Sequence, residues 1–188
     1  MSQVEKILIE TGALLNGHFK LTSGRHGAQY MQCAKVLQYP DHTAYIAQVI
    51  AEGFKGEEID IVLAPAIGGI VIGYELARAV GAKSLFTERE DGKMTLRRGF
   101  VIPKGAKVLI AEDVVTTGGS TREVIAIARE HGAEIVGAGI MVDRTGGELD
   151  LGVKLVSAYS KAIISYDPAD CPLCKEGQPI VKPGSRNI

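Results

Sequence analysis

The sequence lacks what would mark a secreted, membrane-bound or nucleic-acid-coating protein. Three cysteines among 188 residues, an odd number, make no disulfide framework. No apolar run approaches the roughly 18 residues that span a bilayer. The first ten residues, MSQVEKILIE, carry two acids and no secretory apolar stretch or small-residue cleavage site. Charge of one sign is missing too: a formal net charge of −1 leaves no basic surplus for a general binder of nucleic acid. Internal repeats and low-complexity tracts are absent. The expectation is a cytoplasmic, reduced protein with neither a membrane nor a nucleic-acid partner. What is present is ordinary for a globular protein, 46% hydrophobic and 23% charged, and the length suits one domain over 1–188.

One stretch organises the rest, Lys107 to Arg122, KVLIAEDVVTTGGSTR. Val108-Leu109-Ile110-Ala111 is a continuous apolar run, the pattern of a parallel strand buried on both faces. Glu112 and Asp113 stand where that strand is expected to end. Thr116-Thr117-Gly118-Gly119-Ser120-Thr121 then leads into the helical pattern Glu123–Ala128. Glycines let backbone N–H groups approach an anion, the helix N-terminus adds partial positive charge, and hydroxyls donate without adding charge. Two carboxylates beside an anion cradle would repel phosphate, so they suit hydroxyls or a metal. A ribose 5-phosphate supplies both partners. The string is neither the G-x-x-x-x-G-K-[ST] loop nor the dinucleotide G-x-G-x-x-G motif.

Apolar spacing at Val4, Ile7, Leu8, Leu14 and Leu15 predicts a helix over 2–15, broken near Gly12. Residues 19–25 alternate and turn, and 29–33 return as a second strand, giving a hairpin outside the main sheet. A helix is expected over 41–55, capped by Asp41 and with Ala44, Tyr45, Val49 and Ile50 as its apolar face. Strand 59–64 precedes a second glycine-bearing loop, Pro65-Ala66-Ile67-Gly68-Gly69, and a helix from Ile70 to Val80 stopped by Gly81. A strand over 83–87, the polar run 88–98 (EREDGKMTLRR) and a short strand at Phe100-Val101 come next. After the central loop, a helix reaches His131-Gly132, and strand 135–142 closes on Asp143-Arg144-Thr145-Gly146-Gly147. Beyond Glu148 the pattern weakens. Residues 155–159 and 162–164 are candidate elements, and the tail from Asp167, with Pro168, Pro172, Pro179 and Pro183, is expected to be irregular surface chain. Strand–helix alternation with loops at strand carboxyl ends predicts an α/β, doubly wound, mainly parallel sheet with helices on both faces. The core would span about 41–147, with a small cap built from 1–40 and 148–188.

The central stretch closely resembles the signature of the type I phosphoribosyltransferases, which bind phosphoribosyl pyrophosphate (PRPP). FKLTSGRHGAQYMQ, PAIGG, ERE-DGK-MTLRRGF and MVDR extend the resemblance over nearly the whole chain, toward the orotate phosphoribosyltransferases. That resemblance implies transfer of the 5-phosphoribosyl group from PRPP to N1 of orotate, giving orotidine 5′-monophosphate and pyrophosphate. It implies that Glu112 and Asp113 bind the ribose hydroxyls, that Thr116, Thr117, Gly118, Gly119 and Ser120 wrap the 5′-phosphate, and that Val114 and Val115 between them also belong to the PRPP site. Ala66, Ile67 and Gly68 would face the pyrophosphate. Arg144, Thr116, Tyr30 and Met31 would meet orotate. Arg89 and Lys93 match the basic residues of a mobile catalytic loop, which the family passes across a homodimer to the neighbouring site. Arg89, Lys93 and Asp113 would then be the catalytic residues. Mg²⁺ would be the cofactor, held mainly by PRPP and not by protein side chains. Thr22 and Gly68 stand where many members carry lysine, and Thr95 where a histidine is common; Arg25, His26, Arg97 and Arg98 are candidates to compensate.

Two other functions fit the same signature. A purine phosphoribosyltransferase would need a larger base site than the S-G-R hairpin with Tyr30 suggests. A non-catalytic PRPP or nucleotide sensor would show a basic face, against the net charge of −1. Cys171-Pro172-Leu173-Cys174 is a lone C-x-x-C, read first as structural thiols, with a metal site or a disulfide as the alternatives; a zinc site would need Cys33 or a histidine to complete it. His18, His26, His42 and His131 are scattered without ligand spacing, and only His26 is near a proposed site.

Overall fold

Strands β3 (Ile61–Pro65) and β6 (Lys107–Val115) pair in parallel at the centre of the molecule, and their side chains alternate between two apolar clusters. Val62, Ala64, Leu109 and Ala111 face one way; Ile61, Leu63, Val108 and Ile110 face the other. This is the period-two pattern of a strand covered on both faces. The structure, a computed structural model, describes residues 1–21 and 24–182.

In chain order the elements are α1 (Gln3–Glu10), β1 (Leu14–Lys20), β2 (His26–Met31), α2 (Ala34–Leu37), α3 (Pro40–Glu52), β3, α4 (Gly68–Val80), β4 (Lys83–Glu90), β5 (Lys93–Leu96) and β6. They continue with α5 (Gly119–Glu130), β7 (Glu134–Asp143), β8 (Leu155–Ser160), β9 (Ser165–Tyr166) and α6 (Pro172–Lys175). The main sheet has the order β5-β4-β3-β6-β7-β8, parallel throughout except for the antiparallel β4–β5 hairpin. Side chains of α3 and α4 join the first cluster, and those of α5 the second. The expected α/β class, mainly parallel with helices on both faces, is therefore observed. From β3 the chain steps outward to β4, then returns to lay β6 on β3's other side. The carboxyl ends of β3 and β6 flank this reversal, the place where open α/β sheets bind ligands.

A second sheet, β1-β2-β9, forms the cap. The C-terminal chain returns to it: the Lys20 amide donates to the Val181 carbonyl, and the Val181 amide to the His18 carbonyl, each at 2.8 Å.

Several sequence expectations are corrected. The predicted helix over 2–15 ends at Glu10, because Gly12 turns the chain at φ 66° and Leu14 and Leu15 enter β1 to pair with Met31 and Tyr30. On α3 the buried side is Thr43, Ile46, Ala47 and Ile50, whereas Tyr45 is exposed; Tyr39, without a side-chain bond, occupies the cap position expected of Asp41. Phe100 and Val101 form no strand, and residues 162–164 are irregular. The acid pair lies inside β6, which runs on to Val115. The main sheet also extends beyond 147 to include β8. The tail is not all surface chain: Cys171 is completely buried, and Val181 bridges to Phe19. Thr22, Ser23 and the tail from Pro183 lie outside the described residues.

Candidate active site

Two helices begin at the reversal point, and neither start carries a side-chain cap: α4 after Ile67 and α5 after Gly118. Their first amides are left for another acceptor. Gly118 sits in the left-handed region at φ 75°, and a Cβ there would come within 2.9 Å of Leu151, so glycine alone fits this turn. Arg122 fixes the loop from behind, donating to the carbonyls of Thr117 and, at 2.6 Å, of Asp150. Between the two helix starts lies a hollow of about 620 Å³, lined by Glu112–Thr121, Pro65–Gly68, Gln32, Arg89 and Glu123. It gathers the residues expected to bind PRPP, with the exception of Lys93.

Glu112 is buried and Asp113 half-buried on the floor of this hollow. Burial is the main cause that raises both acids above the ordinary carboxylate range. For Glu112 the Asp113 charge adds to it, and the carboxyl is pushed up to about 9. Thr121, which is buried, hydrogen-bonds Glu112 and works in the opposite direction. The pair thus favours holding one shared proton when no ligand is bound. Because the folded state keeps this proton above pH 4.5 and the unfolded chain does not, rising pH favours unfolding until Glu112 itself ionises. The stability difference between wild type and Glu112→Gln should therefore slope with pH from about 4.5 toward 9, by up to about 1.4 kcal/mol per pH unit. Urea unfolding at pH 5, 7 and 9 measures it. Parallel curves for the two proteins would mean that the acids do not share a proton.

Gly68 has a direct reason to lack a side chain. A Cβ there would lie 2.7 Å from an Asp113 carboxylate oxygen, so glycine lets this carboxylate rest against the start of α4. Lysine, the residue that many members of the resembled family carry here, would need the acid to move.

A second hollow, of about 440 Å³, is lined by Leu21, Tyr30, Thr116, Thr117, Arg144, Thr145, Ile163 and Ser165. Thr116 and Thr117 line both hollows, so the two open onto the same loop. Arg144 follows β7, and Asp143 builds its perch. The buried Asp143 carboxylate accepts from the Thr145 amide (2.8 Å) and hydroxyl (2.6 Å), the Gly147 amide (2.9 Å) and the Ser160 hydroxyl (3.1 Å). Burial disfavours its charge, but these bonds outweigh it and hold its carboxyl below the usual range. Arg144 is less well provided. Its Nε is buried and finds no hydrogen-bond partner among the described residues, and burial lowers the guanidinium's pKa.

Tyr30 lines the second hollow as expected, but Met31 does not. Adjacent strand residues point to opposite faces, and Met31 packs at 6% exposure in the core cluster with Val4 and Leu8. The 88–98 run is the β4–β5 hairpin, turning at Asp91-Gly92. Three of its four cations are engaged: Arg89 with Glu123 (2.6 Å), Arg97 with Glu90 (3.1 Å) and Arg98 with Glu88 (2.7 Å). Lys93 is exposed and makes no ion pair among the described residues. Of the side chains considered as substitutes for the absent lysines, Arg25 binds Ser165, His26 is buried in the cap and the two hairpin arginines are paired. Gln32, Thr121 and Arg122 were missed by sequence reading. Gln32 stood inside a quoted motif, but its direction became evident only with the hairpin's pairing.

A reversal point with two uncapped helix starts, an acid pair and a hydroxyl-glycine loop defines the class, and the phosphoribosyl transferase domain family matches residues 36–157. The chain is 52% identical to the orotate phosphoribosyltransferase of Pelotomaculum thermopropionicum, over 99% of this chain and 98% of that one. It is 46% identical to that of Thermotoga maritima, over 98% and 99%. The crystal structure of orotate phosphoribosyltransferase from Aeropyrum pernix superposes with a TM-score of 0.70 at 27% identity, covering 84% of this chain and 93% of that one. The chain belongs to the orotate phosphoribosyltransferase family.

Proposed function

We propose that the two hollows are the two halves of one reaction site, in which the 5-phosphoribosyl group of PRPP is transferred to N1 of orotate to give orotidine 5′-monophosphate. The observation that carries this reading is the shared wall at Thr116 and Thr117. A sugar phosphate held on one side presents its C1′ to a ring held on the other. The amides of 118–120 receive the 5′-phosphate at the start of α5. Glu112 and Asp113 receive the ribose 2′ and 3′ hydroxyls, which donate to the carboxylates and stabilise their ionised form, so that the shared proton is released to solvent on binding. Two ionised acids beneath the ribose then favour the cationic character that C1′ develops as pyrophosphate departs. The start of α4 and the 66–68 backbone face the pyrophosphate. Arg144 meets the orotate carboxylate, and Tyr30 packs by the ring.

Of the three carboxylates that line the hollow, Glu123 is paired with Arg89, which leaves Glu112 and Asp113 for a divalent cation, and no set of three ligating side chains gathers there among the described residues. That donor set fits Mg²⁺, which retains waters and takes phosphate oxygens from its substrate. Glu112 and Asp113 are the side chains that would help hold it, and when bound it would neutralise charge on the leaving pyrophosphate.

Arg89 is already at the hollow, tied to Glu123 by a pair in which both side chains are nearly half exposed. Such a pair contributes only about 0–1 kcal/mol, so a pyrophosphate can take the guanidinium from it. Lys93 pairs with no anion among the described residues, and we propose that it serves the site of a second copy. In support, Ile67 (85% exposed), Val71 (44%) and Tyr74 (62%) line up at helical spacing along α4, starting at the rim of the hollow. A second copy covering this stripe would bring its own hairpin beside the site.

The deciding assay offers PRPP and Mg²⁺ with orotate, uracil, adenine, hypoxanthine and xanthine in turn and follows pyrophosphate release. Release with orotate alone is expected. Release with a purine and not with orotate would overturn the assignment of Arg144, and release with none would favour a sensor.

A further inference from the structure

The cap holds a group of side chains that the transfer reaction does not use. His18 on β1, His26 on β2, and Cys171 and Cys174 at α6 each bring one ligating atom to a common point, all within 4.8 Å of one another. His18 Nε2 lies 3.1 Å from His26 Nδ1, 3.5 Å from Cys171 Sγ and 3.7 Å from Cys174 Sγ; Cys174 Sγ lies 3.3 Å from His26 Nδ1. A tetrahedral zinc ion with Zn–N near 2.05 Å and Zn–S near 2.3 Å sets N···N at about 3.3 Å, N···S at about 3.5 Å and S···S at about 3.8 Å. These four separations match edges of that tetrahedron to within a few tenths of an ångström, and the other two pairs lie within 4.8 Å. Three of the four residues are buried, and the cysteines form no disulfide.

The other nitrogen of His18 settles its tautomer. Nδ1 lies 2.9 Å from the Gln178 carbonyl, which can only accept, so Nδ1 carries a proton and Nε2 is the nitrogen left to offer a lone pair to a metal in the cluster. An imidazole oriented by a carbonyl behind it is the usual support of a metal-bound histidine. Two soft thiols with two imidazoles favour Zn²⁺ over hard divalent ions such as Mg²⁺.

We propose that this cluster is a structural Zn²⁺ site, one ion per chain, bound as Cys171 and Cys174 release their thiol protons. All four positions are taken by protein, so no place is left for substrate or catalytic water. Its effect is to fasten the C-terminal chain to the β1–β2 hairpin. Those two segments supply the cap wall of the second hollow, Leu21 and Tyr30 from one and Ile163 and Ser165 from the other. The ion would therefore hold the base pocket in shape without touching the reaction.

The test uses the full chain, purified under reductant, stripped with a chelator and titrated with Zn²⁺ against a chromophoric competitor. One ion per chain should bind, and Co²⁺ in its place should give the intense absorption of a tetrahedral site with thiolate charge transfer. Cys174→Ser and His18→Gln should each weaken Zn²⁺ binding at least about a hundredfold, and neither should gain in melting temperature when zinc is added, as wild type should. The proposal is overturned if wild type binds no zinc more tightly than Cys174→Ser, or if its Co²⁺ spectrum shows no thiolate band. A Cys171–Cys174 disulfide that survives reductant would also overturn it. Should both variants fail to fold, the wild-type stoichiometry and cobalt spectrum still decide.

Discussion

Arg144→Ala should raise the KM for orotate by about a hundredfold or more while leaving the KM for PRPP nearly unchanged. Removing one partner of a buried, hydrogen-bonded charge pair costs roughly 2–5 kcal/mol, and this guanidinium stands in the hollow away from the acid pair. The free protein has already desolvated part of this half-buried group: its Nε is buried without a partner among the described residues. A planar carboxylate supplies the missing acceptor, so binding gains what folding lost. The same reasoning makes the stability result opposite in sign to the kinetic one. Arg144→Ala should melt no lower than wild type, since a buried, unpartnered Nε on a half-buried charge burdens the fold. Arg144→Lys should rescue only in part, because a point charge does not reproduce a two-pronged contact. Equal losses for both substrates, together with a lowered melting temperature, would mean that the residue is structural.

What could be read from the chain was whatever lies close together in it. The stretch 107–122 contains strand, acids, loop and helix in one piece, so both the fold class and the phosphate side of the site were legible there. Met31 was misjudged because its neighbour Tyr30 was right: a motif match aligns positions, but strand pairing decides which of two adjacent side chains faces the pocket. Leu14 and Leu15 resembled a continued helix until their pairing with β2 placed them in a strand. Arg122 supports the loop through the carbonyl of Asp150, 28 residues away, and no local pattern marks such a contact. The cap cluster is the extreme case. Cys171 and His18 are 153 positions apart, and a hairpin bulge together with the returning C-terminal chain brings them together.

Mixing two inactive variants should restore about a quarter of wild-type activity. Asp113→Asn removes a charge beneath the ribose, and Lys93→Ala removes a cation from the leaving pyrophosphate; each loses a charge-assisted interaction of roughly 1.5–3 kcal/mol, so each should fall at least about tenfold. The two residues lie apart in one chain. Asp113 is on the floor of the hollow, whereas Lys93 is exposed on the β4–β5 hairpin and lines no part of it. The hairpin's other cations are held by Glu123, Glu90 and Glu88, which leaves Lys93 as the charge available to a neighbour. If the second copy docks along the exposed Ile67, Val71 and Tyr74 stripe, its Lys93 completes a site whose Asp113 belongs to the first chain. A heterodimer of the two variants then has one site with both lesions and one with neither. Random exchange makes roughly half the molecules heterodimers, and each has one good site of two, hence roughly a quarter of wild-type activity. Native mass spectrometry confirms the exchange, and pyrophosphate release reads the result. Activity that stays at or below a tenth after confirmed exchange would place Lys93 in its own chain's site and remove the argument for a shared one.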